Sequence, residues 1–199
     1  TDQPIREFVL VEAHTGKVVL HFSKIYHAKN RNVYNCSHSS ALPGALVRSE
    51  GQDACAIPDA NAAYDATGST YDFYWNYLGR DGIDGAGMTM ISSVRYCPSA
   101  LECPMQNAYW DGSQMVFGDG FTADDVCAHE LTHGVTEYES HLFYYMQSGA
   151  INEAMSDIFG EFVDQTNELG TDTASVRWLM GEDLPASVGV IRDMSDPPK

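Results

Sequence analysis

His129-Glu130-Leu131-Thr132-His133 places two imidazoles four residues apart. On a helix, that spacing points both side chains the same way, one turn above the other. Two nitrogen donors on one face can share a metal ion, and the set suits Zn²⁺. Glu130 follows the first histidine and leans over the same site without being a ligand. A carboxylate there can take a proton from water that a metal has made more acidic. Catalytic zinc takes a third protein ligand and keeps one position open. Glu153, in Gly149-Ala150-Ile151-Asn152-Glu153-Ala154-Met155-Ser156-Asp157, is the candidate, and Asp157 follows one turn later on the same face. Zinc-bound histidine usually donates its other ring N–H to a carboxylate, so Asp157 is placed to orient one of the two histidines.

A pentapeptide of this kind also arises by chance on helices whose surface carries histidine and glutamate. The flanks argue against that. Asp124 and Asp125 open the first helix, where its dipole favours acids, and Val126-Cys127-Ala128 leads apolar into the motif.

The chain has 199 residues, 44% of them hydrophobic, enough for one core or one and a partial second. Its formal net charge of −17 gives no general attraction to nucleic acid or an anionic membrane surface. No apolar run is long enough to span a bilayer. Thr1 begins a polar segment with no visible signal peptide, so secretion would require a targeting segment that has been removed or lies outside this sequence. Of five cysteines, Cys36 with Cys55 and Cys97 with Cys103 flank short loops, and disulfides are expected within each pair, which fits an oxidising compartment. Cys127 is left over, as a buried thiol rather than a ligand.

Glu7 to Glu12 and Lys17 to Phe22 read as two strands around a turn at Ala13-His14-Thr15-Gly16. Residues 30–60 are loop-rich, with a short strand at Ala45 to Arg48. A helical run then extends from Asp59 to Leu78, and Gly79 is its stop signal. Met88 to Tyr96 is a strand, and Asp111-Gly112-Ser113 turns a further hairpin. From residue 121 the pattern is helical. The fold class expected is α+β, a β-rich first lobe followed by the helices that carry the site.

The motif run His129 to Tyr138, the run Ser148 to Gly160, and the 19 residues between His133 and Glu153 closely resemble the thermolysin-like family of secreted zinc endopeptidases. The resemblance extends to Asn107 to Gly112, to Gly118-Asp119-Gly120 and to Arg192 to Pro197, and covers most of the chain from about residue 30. It implies a two-lobe fold with zinc held by His129, His133 and Glu153. Glu130 would act as general base, and Tyr144 would stabilise the oxyanion. By residue type alone, Phe143, Tyr144 and Tyr145 are not distinguished for that role. Asn107 and Ala108 would pair with an extended substrate. Val126, Leu184 and Ile191 would line an apolar pocket beside Arg192 and favour cleavage before a bulky hydrophobic residue.

Asp125, Asp164 and Glu182 match the family's structural calcium ligands, and one Ca²⁺ is expected, because Arg177 stands where another acid would be. Residues 1–27 resemble the tail of a propeptide, with maturation near Ala28. On this reading, 28–120 form the β-rich lobe, and 121–199 form the active-site helices with the start of a helical C-terminal lobe. Most of that lobe, including its catalytic histidine, is expected to be missing or to be supplied as a separate chain. The expectation is a secreted, extracellular protease acting on proteins or peptides. The competing readings are an inactive zinc-binding fragment and an aminopeptidase. The latter needs an acidic anchor for a substrate amino terminus, and no dedicated motif supplies one.

Overall fold

The computed structural model describes residues 7–23, 29–142 and 144–196. The expected maturation boundary near Ala28 lies outside the described residues, as does Phe143.

The first hairpin pairs β1 (Glu7–Val11) with β2 (Val18–Ser23) antiparallel. Its turn is closed by Glu12, whose carboxylate accepts the N–H groups of His14 and Thr15. Apolar side chains stand exposed on both faces, Val9 and Val19 among them.

A five-stranded sheet follows, in the order β4 (Ala45–Ser49), β3 (Arg31–Asn35), β5 (Met90–Val94), β7 (Met115–Phe117), β6 (Ala108–Trp110). The β3–β5 and β5–β7 pairs are parallel and the outer pairs antiparallel. Parallel neighbours need a crossover. Helix α1 (Pro58–Leu78) supplies the one between β3 and β5 and lies between strands rather than after them. Pro58 opens α1 where a missing N–H costs nothing. Gly79 ends it with φ 67°, and the N–H groups of Gly79 and Arg80 return to Trp75 and Tyr74.

Helices α2 (Asp124–Ser140) and α3 (Met146–Asn167) follow, with a two-residue pair β8 (Leu179–Met180) and β9 (Arg192–Asp193). The main core, built around Val33, Tyr74, Met115, Phe117 and Leu131, fills the space between sheet and helices. A smaller cluster of Phe121, Val126, Met180 and Leu184 lies beside the start of α2. Such a pair, one core and a partial second, is what the length allows.

The Cys97–Cys103 disulfide is formed. The expected Cys36–Cys55 bond is not: both thiols are free. Cys36 is buried at the end of β3 with its sulfur 3.5 Å from the Pro43 carbonyl, whereas Cys55 Sγ lies 3.7 Å from the Ile57 carbonyl. Nearness along a loop had suggested the bond, but the two sulfurs turn to separate carbonyls. Cys127 is free and fully buried, as expected.

Candidate active site

Helix α2 is fixed before it reaches the motif. Tyr74 of α1 meets Thr132 at 2.8 Å, both buried, and Thr132 donates back to the Ala128 carbonyl. Asp125 in the first turn accepts the N–H of Val126 at 2.6 Å and that of Gly181, tying the helix start to the loop after β8. Helix α3 crosses closely at Gly160, where a Cβ would lie 3.0 Å from the Asp125 carbonyl oxygen. This close crossing brings Glu153 and Asp157 over His129 and His133.

The three expected ligands converge. His129 Nε2 and His133 Nε2 are 2.9 Å apart. Glu153 offers Oε2 at 3.4 Å from the first and Oε1 at 3.5 Å from the second. Donors about 2.0–2.2 Å from one tetrahedral ion stand roughly 3.3–3.5 Å apart, so this triangle fits zinc after small adjustments. Both outer nitrogens face acceptors, and His133 Nδ1 makes hydrogen bonds while His129 Nδ1 has only the close approach of a carboxylate. His129 Nδ1 lies 2.8 Å from Asp157 Oδ1, and His133 Nδ1 lies 2.7 Å from Asn152 Oδ1 and 3.2 Å from Ser156 Oγ. With those nitrogens facing acceptors, both Nε2 lone pairs are left for a metal. The Asp157 role read from sequence is therefore assigned to His129. Asn152 and Ser156 were missed, although they form a second i, i+4 pair alongside Glu153 and Asp157.

Without a metal, the 2.9 Å approach is satisfied when His129 is protonated and its Nε2–H donates to His133 Nε2. Burial pulls the His129 pKa down, but Asp157 and Glu153 outweigh it and hold the ring at about 9. Glu153 is lowered to about 2, chiefly by its bond with His129 and against its own burial. His133 is lowered by burial and by the neighbouring His129 charge. Glu130 is almost fully buried, and burial raises it to about 7, against the opposing pull of His129. Its carboxylate and the two histidines offer atoms within 4.8 Å of one another.

These residues line a cleft of about 830 Å³. One wall is β6, the edge strand of the sheet, with Asn107 just before it and Ala108 at its start. Val126, Ile191 and Arg192 line the cleft together with Phe121 and Met180. Leu184 lies behind it, buried in the second cluster. Arg192 Nη2 is 2.5 Å from Asp157 Oδ1, the same oxygen that faces His129. Tyr144 donates its hydroxyl to Glu153 Oε1, which separates it from Tyr145.

A second group of acids lies away from the cleft. Asp164, Asp172 and Glu182 offer oxygens within 4.8 Å of one another. Asp125, expected with them, spends both oxygens on backbone N–H groups. Glu161, 1% exposed, has both carboxylate oxygens buried without a partner, as is Asp164 Oδ1. Buried carboxylate oxygens without donors suit a hard cation. Sequence reading missed Glu161 and Asp172. Arg177 is exposed, and among the described residues it makes no ion pair with these acids.

A mixed sheet, a helix carrying two histidines and a second helix carrying a glutamate together define a metallopeptidase architecture. The chain belongs to the thermolysin metallopeptidase family: residues 9–137 match its catalytic domain and residues 140–199 its alpha-helical domain. It is 43% identical over 180 residues to an extracellular metalloprotease of Pectobacterium carotovorum subsp. carotovorum, covering 84% of this chain and 50% of that protein. It is 45% identical over 166 residues to a zinc metalloproteinase of Renibacterium salmoninarum, covering 77% of this chain and 30% of that protein. The precursor of protealysin, a metalloproteinase from Serratia proteamaculans, superposes with TM-score 0.70 at 42% identity, covering 79% of this chain and 50% of that one. The chain therefore spans half or less of the length of these relatives.

Proposed function

We propose that the chain provides the zinc site and the substrate-binding edge of a secreted endopeptidase that cleaves before bulky hydrophobic residues. The observation that carries this reading is the triangle of His129 Nε2, His133 Nε2 and a Glu153 carboxylate, with Glu130 beside it at the floor of a cleft walled by an edge strand. Zinc bound there supplies Lewis acidity and makes a water more acidic.

The protein groups do the rest. An extended peptide adds to β6 by main-chain hydrogen bonds, and its side chains enter flanking pockets. The apolar wall of Phe121, Val126, Met180 and Ile191 takes the residue after the bond. With its pKa near 7, Glu130 accepts a proton from the attacking water and returns it to the leaving amine. Tyr144 directs its hydroxyl into the site and is assigned to the developing oxyanion. Asp157 and Asn152 hold the two imidazoles in the ligating tautomer. Ca²⁺ is the cation proposed for Asp164, Asp172 and Glu182. Residues 1–27 are read as propeptide tail.

The test is zinc content together with peptide cleavage, alone and with any co-purifying C-terminal chain. One zinc per chain and chelator-sensitive cleavage before hydrophobic residues are expected. Glu130→Gln is expected to keep the zinc and lower kcat by about 10²–10⁴-fold. Zinc uptake without cleavage in either setting would favour an inert zinc-binding fragment, and failure to bind zinc would overturn the reading.

A further inference from the structure

The cleft has two ends of different character. Phe121, Val126, Met180 and Ile191 make one end apolar, while Asp111, Glu137 and His141 line the other, beyond β6. The second end is built by Trp110, the last residue of β6. Its indole lies against α2 at Gly134, where a Cβ would come 3.2 Å from Trp110 Cε2. From there its Nε1–H donates to Glu137 Oε2 at 2.7 Å, one turn further along α2. An exposed glutamate is thereby pinned at the cleft wall, and no described hydrogen bond uses its other oxygen. Asp111 follows directly on β6 and is held by the N–H groups of Ser113 and Gln114, so its charge is fixed in place too.

Among the described residues, no lysine or arginine lies within 4 Å of either carboxylate. Among the described residues Arg192 is the sole lysine or arginine lining the cleft, and it is tied to Asp157 at the other end. Glu130 and Glu153 face the histidines at the centre. An extended chain along the free edge of β6 runs from the apolar wall past Trp110 to Asp111, with alternate side chains turned into the cleft.

We propose that Glu137, held in place by Trp110 and reinforced by Asp111, selects substrates carrying a lysine or arginine on the amino-terminal side of the cleaved bond. This rests on the endopeptidase reading above, in which the apolar wall takes the residue after the bond. The pair is solvent-accessible, so its contribution is modest and sensitive to salt.

The experiment measures binding to the zinc-loaded chain carrying Glu130→Gln, which suspends turnover. Two peptides with leucine after the target bond differ only in lysine or norleucine on its amino side. The lysine peptide is expected to bind about twofold to fivefold more tightly at low ionic strength, and the advantage to shrink at high salt. Adding Glu137→Gln keeps an acceptor for Trp110 but removes the charge. The advantage should then fall to no more than what Asp111 sustains, and vanish when Asp111→Asn is added. A structural role for Glu137 would weaken both peptides equally and leave their ratio unchanged, which overturns the proposal. Equal binding of the two peptides in the Glu130→Gln chain overturns the anionic subsite and leaves the endopeptidase reading standing. Failure of the zinc-loaded chain to bind either peptide removes both.

Discussion

His129 shows how one residue's environment reports on what is meant to occupy the site. Its ring sits between Asp157 and Glu153, and its pKa of about 9 makes it a cation at neutral pH when no metal is bound. The proton there stands in for a metal charge. A ligating imidazole must be neutral, so zinc binding at pH 7 has to expel that proton. Calorimetry in two buffers of different ionisation enthalpy should show about one proton released per zinc at pH 7, fading as pH rises through about 9. No release at pH 7 would mean that the two carboxylates do not hold the ring charged. At this scale the sequence was legible where spacing carries the chemistry: His129, His133, Glu130 and Glu153 converge, and Asp157 lies behind the His129 ring. It was not legible for Tyr144, because Tyr145 is the same residue type one position away and only the chain path puts one hydroxyl on Glu153.

At the scale of elements, glycine sets how closely segments approach. Gly160 lets α3 cross α2 near Asp125 and His129, and Gly118 lets the chain at Met105 run against the end of β7. A Cβ on Gly118 would fall 1.8 Å from the Met105 carbonyl oxygen. No rotamer change relieves a clash with backbone, so the segment leading through Asn107 into β6 would have to move. Gly118→Ala is expected to destabilise the fold by about 3 kcal/mol, at the upper end of ordinary overpacking, and to weaken peptide binding along β6. Urea unfolding gives the first and peptide affinity the second. A loss below about 0.5 kcal/mol would show that this segment is not held against Gly118. Some element boundaries followed from local signals, as at Gly79 and the Asp111 turn, whereas β3 lay in a stretch that reads as loop. The Cys36–Cys55 bond failed because spacing along a chain does not determine where two sulfurs point.

Across the whole molecule the charge of −17 is unevenly placed, and part of it is buried. Burial raises Glu161 to about 8, Glu182 to about 7 and Asp125 to about 6, and neighbouring acids add to each. Asp164 is also raised by burial and by its bond with Asp172. In the unfolded chain these groups lose protons near pH 4. Over the window from about pH 4 to 8 the folded state binds more protons, so stability without cation falls as pH rises. Calcium should offset this by replacing the protons. Thermal melting of the chelated protein is expected to give a lower Tm at pH 8 than at pH 5, with the difference narrowed by millimolar Ca²⁺. A Tm that rises over this window without calcium would show that the acids are solvated rather than buried.

The sequence by itself marked the candidate metal-binding residues and several element ends, but not the central strand β3 or the place of α1 between strands. A helix converts a spacing of four residues into a shared face, and Gly, Pro and Asp mark the ends of elements by local backbone rules. Only the tertiary structure decided which acceptor orients which histidine, that Asn152 and Ser156 serve His133, and that Glu161 and Asp172 join the acid group while Asp125 bonds to backbone. It also decided that Trp110 sets the position of Glu137. Each of these is a pairing between segments separated in the chain or a choice among like neighbours. Such pairings depend on how helices and sheet pack, and no local pattern encodes that distance.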